Sequence, residues 1–151
     1  MCIRDSTATP EGRHTTVEDI RRWHKDRGWS DIGYHIVIYL DGTVHEGRDI
    51  EIQGAHCKGQ NKNSIGIAYV GGIDAVDYKP KDTRTEEQKQ ALVDMLEYFK
   101  TLFPNVEIFG HNDFAPKACP SFNAKEEYEN ISTMWKSVSY THLTLPTSDL
   151  V

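Results

Sequence analysis

Residues 64–70 of this chain read SIGIAYV, an almost unbroken run of apolar and small residues. A strand with one face in water alternates apolar and polar side chains, whereas a strand covered on both faces is apolar along most of its length. The segment therefore predicts a strand in the interior of a sheet that carries other layers on both of its faces.

Helices are the natural covering layers, and residues 85–103, TEEQKQALVDMLEYFKTLF, predict the clearest one. Their apolar residues recur at the i, i+3, i+4 and i+7 positions of one helix face. Thr85 suits the N-cap, and Pro104 ends the helix. A second amphipathic helix is predicted for residues 16–27, TVEDIRRWHKDR, and a last one for residues 123–136.

Three further segments have the residue types of strands. Residues 34–40, YHIVIYL, are followed by Asp41 and Gly42 and then by residues 43–47, TVHEG. This order predicts a hairpin with Asp-Gly as a two-residue turn. Residues 106–110, VEIFG, form a short strand. Together the elements predict a mixed α/β fold, with a central mixed β-sheet flanked by helices in a single domain.

Composition excludes several classes of function. The chain has 151 residues and a net charge of -6, without a run of lysine or arginine, so a basic nucleic-acid-binding surface is not expected. No apolar run approaches the length of a membrane span, and the N-terminus lacks the order of a signal peptide, so we expect a cytoplasmic protein without membrane insertion. Cys2, Cys57 and Cys119 are too few and too widely spaced for a disulfide framework.

Residues 111–121, HNDFAPKACPS, concentrate chemically active side chains in one segment. Its two prolines are unfavourable in a helix and predict a loop that returns on itself. Imidazole and thiolate are both zinc ligands, so His111 and Cys119 are candidates for one metal site. A catalytic zinc needs a third protein ligand, which must come from elsewhere in the chain. The alternative is that Cys119 only packs, as buried cysteines often do.

Three segments together resemble a known family. They are GWSDIGYHIVIYLDGTVHEGRD (28–49), GAHCKGQNKNSIGIAYVGGID (54–74) and GHNDFAPKACPSF (110–122). They resemble the zinc-dependent N-acetylmuramoyl-L-alanine amidases, and most of all the small phage lysozymes of amidase type. Those enzymes share a superfamily with the peptidoglycan recognition proteins. The resemblance extends from about Thr7 to Trp135 and implies the single-domain amidase fold.

The resemblance implies a role for each matching residue. His111 and Cys119 stand where the family has two of its zinc ligands. Lys117 matches the lysine that supports the transition state, and Tyr34 matches the catalytic tyrosine. His56 lies in GAHCKGQN, which matches the loop at the wall of the substrate groove. From the residues alone, Tyr34 could instead pack in the core, Lys117 could be a solvated lysine and His56 could be an exposed loop histidine.

Asp5 marks a departure from the family, which has a zinc-binding histidine at the end of its first strand. Aligning STATPEGR (6–13) with the family places Asp5 at that position. Carboxylates also bind zinc, so Asp5 is one candidate for the third ligand. The other interpretation is that residues 1–6 and 137–151 are foreign sequence of adapter or vector type. The catalytic domain then covers residues 7–136, between foreign or disordered ends.

The resemblance implies a function as well as a fold. We expect zinc-dependent hydrolysis of the amide between N-acetylmuramic acid and L-alanine in peptidoglycan, with Zn²⁺ as the cofactor. The alternative is a module that binds peptidoglycan without cutting it, because the first zinc histidine is absent. Peptidoglycan is the expected partner of a monomer that binds no nucleic acid. We expect a phage or prophage lysis protein, held in the cytoplasm until it is released to the cell wall.

Overall fold

Seven strands form two sheets in the computed structural model, which describes residues 2–56, 59, 61–62, 64–104, 106–113 and 119–124. The strands are β1 (Cys2–Ser6), β2 (Thr9–Pro10), β3 (Ile36–Ile38), β4 (Val44–Glu46), β5 (Ile65–Tyr69), β6 (Gly72–Ile73) and β7 (Ile108–Gly110). The larger sheet has the order β4-β3-β5-β1-β7, and β2 pairs with β6 in the smaller one.

The larger sheet is mixed, as predicted. β3 pairs antiparallel with β4, whereas β3, β5, β1 and β7 run parallel to one another. Ser6 at the end of β1 lies opposite Tyr69 at the end of β5. Parallel strands bring their carboxyl ends to one edge of a sheet, where ligands commonly bind. The ends of β1, β5 and β7 therefore define the edge at which a site is expected.

In the described part of the chain two α-helices cover the sheet, and both begin with a capping box. In α1 (Val17–Asp26), the side chain of Thr16 accepts a hydrogen bond from the backbone N–H of Asp19, and the Asp19 side chain accepts one from Thr16. In α2 (Glu86–Leu102), Thr85 and Gln88 form the same reciprocal pair. Each capping box satisfies two backbone groups that the first turn leaves without a helical partner.

The two helices pack on opposite faces of the sheet. The α2 face contains the larger core cluster, which includes Ile36, Ile38, Ile67, Tyr69, Leu92, Met95, Leu96 and Phe99. The α1 face contains Val17, Ile20, Ile32, Val37 and Val70. Neighbouring residues of a strand point to opposite faces, and Ile67, Ala68 and Tyr69 are all at most 1% exposed. The prediction that this strand is buried on both faces is confirmed.

The hairpin between β3 and β4 is confirmed, but its predicted two-residue turn is wrong. The backbone N–H of Tyr39 donates to the carbonyl of Thr43 at 3.0 Å, which leaves residues 40–42 as the loop. Gly42 has a φ of +85°, a left-handed conformation that suits glycine at the end of a three-residue hairpin loop. The strand at residues 106–110 is confirmed in shorter form as β7.

The chain ends differ from expectation in one respect. No strand is predicted for residues 2–6, but in the structure they form β1, which lies between β5 and β7 in the larger sheet. The foreign origin of residues 1–6 and the domain limits of 7–136 stay predictions. The last predicted helix, 123–136, lies outside the described residues apart from its start. Residues 137–151 lie outside them entirely.

Within the part of the chain that the structure describes, no helix is both long and apolar enough for a membrane span.

Candidate functional site

Asp5 and His111, 106 positions apart in the chain, meet at the carboxyl edge of the sheet. Asp5 is the penultimate residue of β1, and His111 directly follows β7, the neighbour of β1. The carboxylate oxygen Oδ2 of Asp5 lies 2.9 Å from Nδ1 of His111. Asp5 is 3% exposed and His111 6% exposed, so water reaches this pair very little. Parallel pairing of β1 with β7 is therefore what brings the acid to the imidazole.

The second oxygen of Asp5 is held by the backbone. Oδ1 accepts a hydrogen bond from the N–H of Ser6 at 2.8 Å. A buried carboxylate needs such partners, because it has lost its contacts with water. With one oxygen on an N–H and the other beside His111, the Asp5 side chain has a fixed orientation.

Cys119 reaches the same edge through the return of the loop predicted at 111–121. The N–H of Asn112 donates to the carbonyl of Cys119 at 2.8 Å, which closes that loop. The hydroxyl of Ser6 donates to Sγ of Cys119 at 3.1 Å. Burial, and next the negative charge of Asp5, raise the pKa of the Cys119 thiol. The thiol therefore stands within the electrostatic field of the Asp5 carboxylate.

Tyr34 approaches the edge from the α1 face. Its hydroxyl donates to the carbonyl of Ser6 over 3.3 Å, and its ring centroid lies 5.5 Å from that of His24. Burial raises the pKa of Tyr34 well above its usual value, and the charges of Asp5 and Cys119 act in the same direction. The phenol therefore stays protonated at neutral pH and is available as a hydrogen-bond donor. A packed aromatic would also place its hydroxyl on a backbone carbonyl, so the catalytic role of Tyr34 stays a prediction.

The other two candidate residues stand apart from this group. Lys117 lies outside the described residues. His56 is only 5% exposed, and its ring centroid lies 5.7 Å from that of His35. A Cβ added to Gly66 would lie 2.4 Å from Cγ of His56. The His56 ring therefore packs directly on the backbone of β5 at Gly66. The alternative of an exposed loop histidine is wrong, and the substrate-binding role of His56 stays a prediction.

The side chains at this site can be compared with the ligands that zinc takes in proteins. His111, Cys119 and Asp5 supply nitrogen, sulfur and oxygen donors, all of which bind zinc in proteins. In the described part of the chain, however, no three or more His, Cys, Asp and Glu side chains are already arranged to hold a metal ion. Asp5 and His111 are instead turned toward each other. The three residues fit zinc in donor type, and binding through Oδ2 of Asp5 would replace its hydrogen bond to His111.

Ser6 belongs to the site although no sequence pattern indicates a role for it. It is 1% exposed, its hydroxyl contacts Cys119, and its carbonyl accepts from Tyr34. A serine beside a candidate ligand carries no signal by residue type alone. Only the pairing of β1 within the sheet places it between Cys119 and Tyr34.

Comparisons with known proteins identify what this chain is similar to. The sequence profile of the family described as N-acetylmuramoyl-L-alanine amidase matches residues 4–122. An endolysin of Klebsiella phage KP32 is 45% identical over 123 residues, which cover 82% of this chain and 81% of the endolysin. Peptidoglycan-recognition protein SC2 of Drosophila melanogaster is 32% identical over 127 residues, 82% of this chain and 65% of that protein.

A solved structure gives the same result for the fold. The N-acetylmuramoyl-L-alanine amidase LysC from Clostridium intestinale superposes with a TM-score of 0.70 at 29% sequence identity. The superposition covers 83% of this chain and 78% of LysC. The predicted class, a mixed sheet flanked by helices in one amidase-like domain, is therefore confirmed.

Proposed function

We propose that this chain, which belongs to the N-acetylmuramoyl-L-alanine amidase family and is an enzyme of that class, hydrolyses its amide substrate with the help of zinc. The bond is the one between N-acetylmuramic acid and L-alanine of peptidoglycan. The observation that carries the proposal is the meeting of Asp5, His111 and Cys119 at the carboxyl edge of the sheet, with the Tyr34 hydroxyl beside them.

The zinc ligands we propose are His111, Cys119 and Asp5. A zinc ion bound there would lower the pKa of a water molecule toward about 7 and polarise the substrate carbonyl. His111 would bind as a neutral imidazole and Cys119 as a thiolate, so the thiol proton must leave before the site is complete. Burial and the negative charge of Asp5 raise the pKa of this thiol, so both oppose the loss of its proton.

Tyr34 and Lys117 are proposed to act on the substrate rather than on the metal. The protonated Tyr34 hydroxyl donates a hydrogen bond, either to the attacking water or to the amide carbonyl as it becomes an oxyanion. The ammonium group of Lys117 would stabilise the same oxyanion. The amine of L-alanine takes up a proton as it leaves, so the products are a free carboxylate on the lactyl group and a free peptide amine.

The biological setting follows from the relatives. The Klebsiella phage protein is called an endolysin, and we propose that this chain is likewise a phage or prophage lysis protein that acts on the bacterial cell wall. Peptidoglycan is its proposed partner, and we propose that it acts as a monomer without nucleic acid. The cytoplasm is its proposed location before release.

Replacement of Cys119 tests the enzymatic proposal. Purified peptidoglycan is incubated with the parent protein and with Cys119→Ala, and newly formed amino groups of L-alanine are labelled and counted. The parent should release stem peptides with a free L-alanine amine, and Cys119→Ala should not. Cys57→Ala is the matched control, because no role in the site is expected for that cysteine, and it should keep the activity.

The outcome also separates the enzyme from the non-catalytic alternative. If the parent protein, supplied with zinc, sediments with peptidoglycan but releases no amine, the chain is a binding module and the hydrolytic proposal is wrong. If Cys119→Ala releases peptides at the parental rate, the chain is an amidase but the assignment of Cys119 is wrong.

A further inference from the structure

The four residues 119–122 are held in place by side-chain hydrogen bonds to other elements. The hydroxyl of Tyr69 donates to the carbonyl of Pro120 at 2.6 Å. The hydroxyl of Ser121 donates to the carbonyl of Gly72 at 3.1 Å, and the side-chain amide of Asn112 donates to the carbonyl of Phe122 at 3.2 Å. The segment that carries Cys119 is therefore fixed at several successive residues.

Among these contacts, that of Tyr69 is the shortest and the most deeply buried. Tyr69 is the last residue of β5, is 1% exposed, and lies opposite Ser6 in the register of the sheet. Ser6 in turn contacts Sγ of Cys119. Neighbouring strands thus hold the cysteine from two sides, with Ser6 on its sulfur and Tyr69 on the carbonyl of the next residue.

The far end of the segment rests on a buried arginine. The guanidinium carbon of Arg84 lies 3.5 Å from the centre of the Phe122 ring. Nε and Nη2 of Arg84 each donate to a different oxygen of Asp82 at 2.8 Å, and the Arg84 side chain is 2% exposed. A guanidinium oriented by two hydrogen bonds to one carboxylate is a rigid support for an aromatic ring.

The segment 119–122 contains a residue with a strained backbone, which these contacts hold in place. Ser121 has a φ of +72°, a left-handed conformation that is unfavourable for a residue with a Cβ. Such a residue keeps this conformation only where its surroundings impose it. The hydrogen bond from Tyr69 to Pro120 and the Arg84 contact to Phe122 are on either side of Ser121, so they maintain the conformation of residues 119–122.

We propose that Tyr69 is a positioning residue for Cys119. Its hydroxyl fixes the carbonyl of Pro120, and with it the direction in which the Cys119 side chain leaves the backbone. Tyr69 touches neither substrate nor metal in this proposal, which rests on the proposed role of Cys119 as a zinc ligand. Groups that orient a metal ligand typically change metal affinity or activity by about tenfold or more when they are removed.

The test is Tyr69→Phe, which removes one oxygen and keeps the ring in the core. Tyr98→Phe is the matched control, because Tyr98 is a 6% exposed tyrosine of the same core cluster. Three quantities are measured for each protein: the zinc dissociation constant, kcat and KM on peptidoglycan, and the rate at which iodoacetamide alkylates Cys119 in the zinc-free protein. Mass spectrometry of the digested protein assigns the alkylation to Cys119.

We expect Tyr69→Phe to weaken zinc binding by about tenfold, to lower kcat more than it raises KM, and to speed alkylation of Cys119 several-fold. Its Tm should differ from that of Tyr98→Phe by only a few degrees. Equal zinc affinity and equal alkylation in the two variants would overturn the proposal. If the parent binds no zinc, the proposed function fails instead, and the alkylation rates still decide whether Tyr69 positions Cys119.

Discussion

Oδ2 of Asp5 and Nδ1 of His111 lie 2.9 Å apart, each nearly closed to solvent. Asp5 stands where the family has a zinc-binding histidine, and His111 is another candidate ligand, so this contact joins two candidate zinc ligands. A carboxylate that accepts a hydrogen bond from an imidazole holds that ring in one orientation. The same oxygen cannot serve the imidazole and a metal ion equally well. If zinc binds at this site as proposed, the Asp5–His111 hydrogen bond competes with it.

Asp5→His should strengthen zinc binding. It removes the hydrogen bond that competes for His111 and supplies a second imidazole to the site. We expect a zinc dissociation constant lower by at least about tenfold, given the usual effect of changes around a metal site. Competition with a chromophoric chelator measures the constant, and elemental analysis gives the zinc content per chain.

Asp26→His controls for the added histidine, because Asp26 is the exposed last residue of α1. It should leave the affinity at the parental value. If Asp5→His binds zinc no more tightly than Asp26→His does, Asp5 does not occupy a ligand position. If the parent already holds about one zinc per chain, the site is completed by Asp5 or by another third ligand.

Tyr34→Phe should impair catalysis without impairing zinc binding. The change removes the hydroxyl that burial keeps protonated and that faces the site. Loss of one such donor typically lowers kcat by about a hundredfold or more. The 3.3 Å contact to Ser6 is a weak hydrogen bond, so stability should change little. Steady-state kinetics and a chelator titration test both statements.

Tyr98→Phe is again the control and should keep the parental kcat. A Tyr34→Phe enzyme with parental kcat would exclude a catalytic role for the hydroxyl and would support the packed-aromatic interpretation. A parallel loss of zinc would instead make Tyr34 a residue that supports the metal site.

Local patterns predicted the parts of this fold that depend on neighbouring residues. The helix period and the Thr85 cap located α2, and the apolar run of SIGIAYV located β5 and its burial on both faces. The return of the loop between His111 and Cys119 was also predictable, because its prolines and polar residues are features of the sequence itself. Each of these depends on residues that lie within one continuous segment of the chain.

Contacts between distant segments could not be predicted in this way. The sequence CIRDS has little strand character, and it forms β1 because β5 and β7 offer hydrogen bonds on both sides. The contact of Tyr69 with Pro120 joins residues 51 positions apart. The burial of His56 depends on the absence of a side chain at Gly66. None of these has a local signature, since each requires the register of the sheet.

His24 should make the protein less stable in mild acid. Its Nδ1 accepts a hydrogen bond from the N–H of Gly33 at 2.8 Å. Burial, followed by the charges of Arg27 and Arg48, lowers the pKa of His24 from its usual 6.5 to about 4. Between pH 6.5 and pH 4, His24 is therefore protonated in the unfolded chain but largely neutral in the folded chain. The contribution of neutral His24 to the free energy of unfolding is fully present above this range and is lost as the pH falls through it.

Urea unfolding at pH 7.5 and pH 5 measures the effect. The His24 contribution should lower the free energy of unfolding by about 2 kcal/mol over this range. His24→Gln keeps an acceptor for Gly33 but does not titrate, so its pH dependence should be smaller by that amount. A residual slope is expected, because burial also lowers the pKa of His35.

Arg22→Gln, on the same helix, is the control for the His24 experiment. Arginine stays protonated over this range, so this change should shift the stability at both pH values equally. A His24→Gln protein with the full parental pH dependence would show that His24 does not impose it.

Gly66→Ala should destabilise the fold through His56. A Cβ at this position would lie 2.4 Å from both Cγ and Cδ2 of the His56 ring, well inside van der Waals contact. Overpacking of this kind costs about 1–3 kcal/mol, because the ring or the strand must move. Urea unfolding of Gly66→Ala measures the loss.

A double-mutant cycle identifies the cause of this loss. In a His56→Ala background the added methyl group meets a smaller side chain, so Gly66→Ala should cost much less there than in the parent. An equal cost in both backgrounds would assign the destabilisation to the strand itself rather than to the ring. The same cycle, followed by peptidoglycan hydrolysis, tests His56: parental KM in the single variant His56→Ala would exclude the predicted substrate contact.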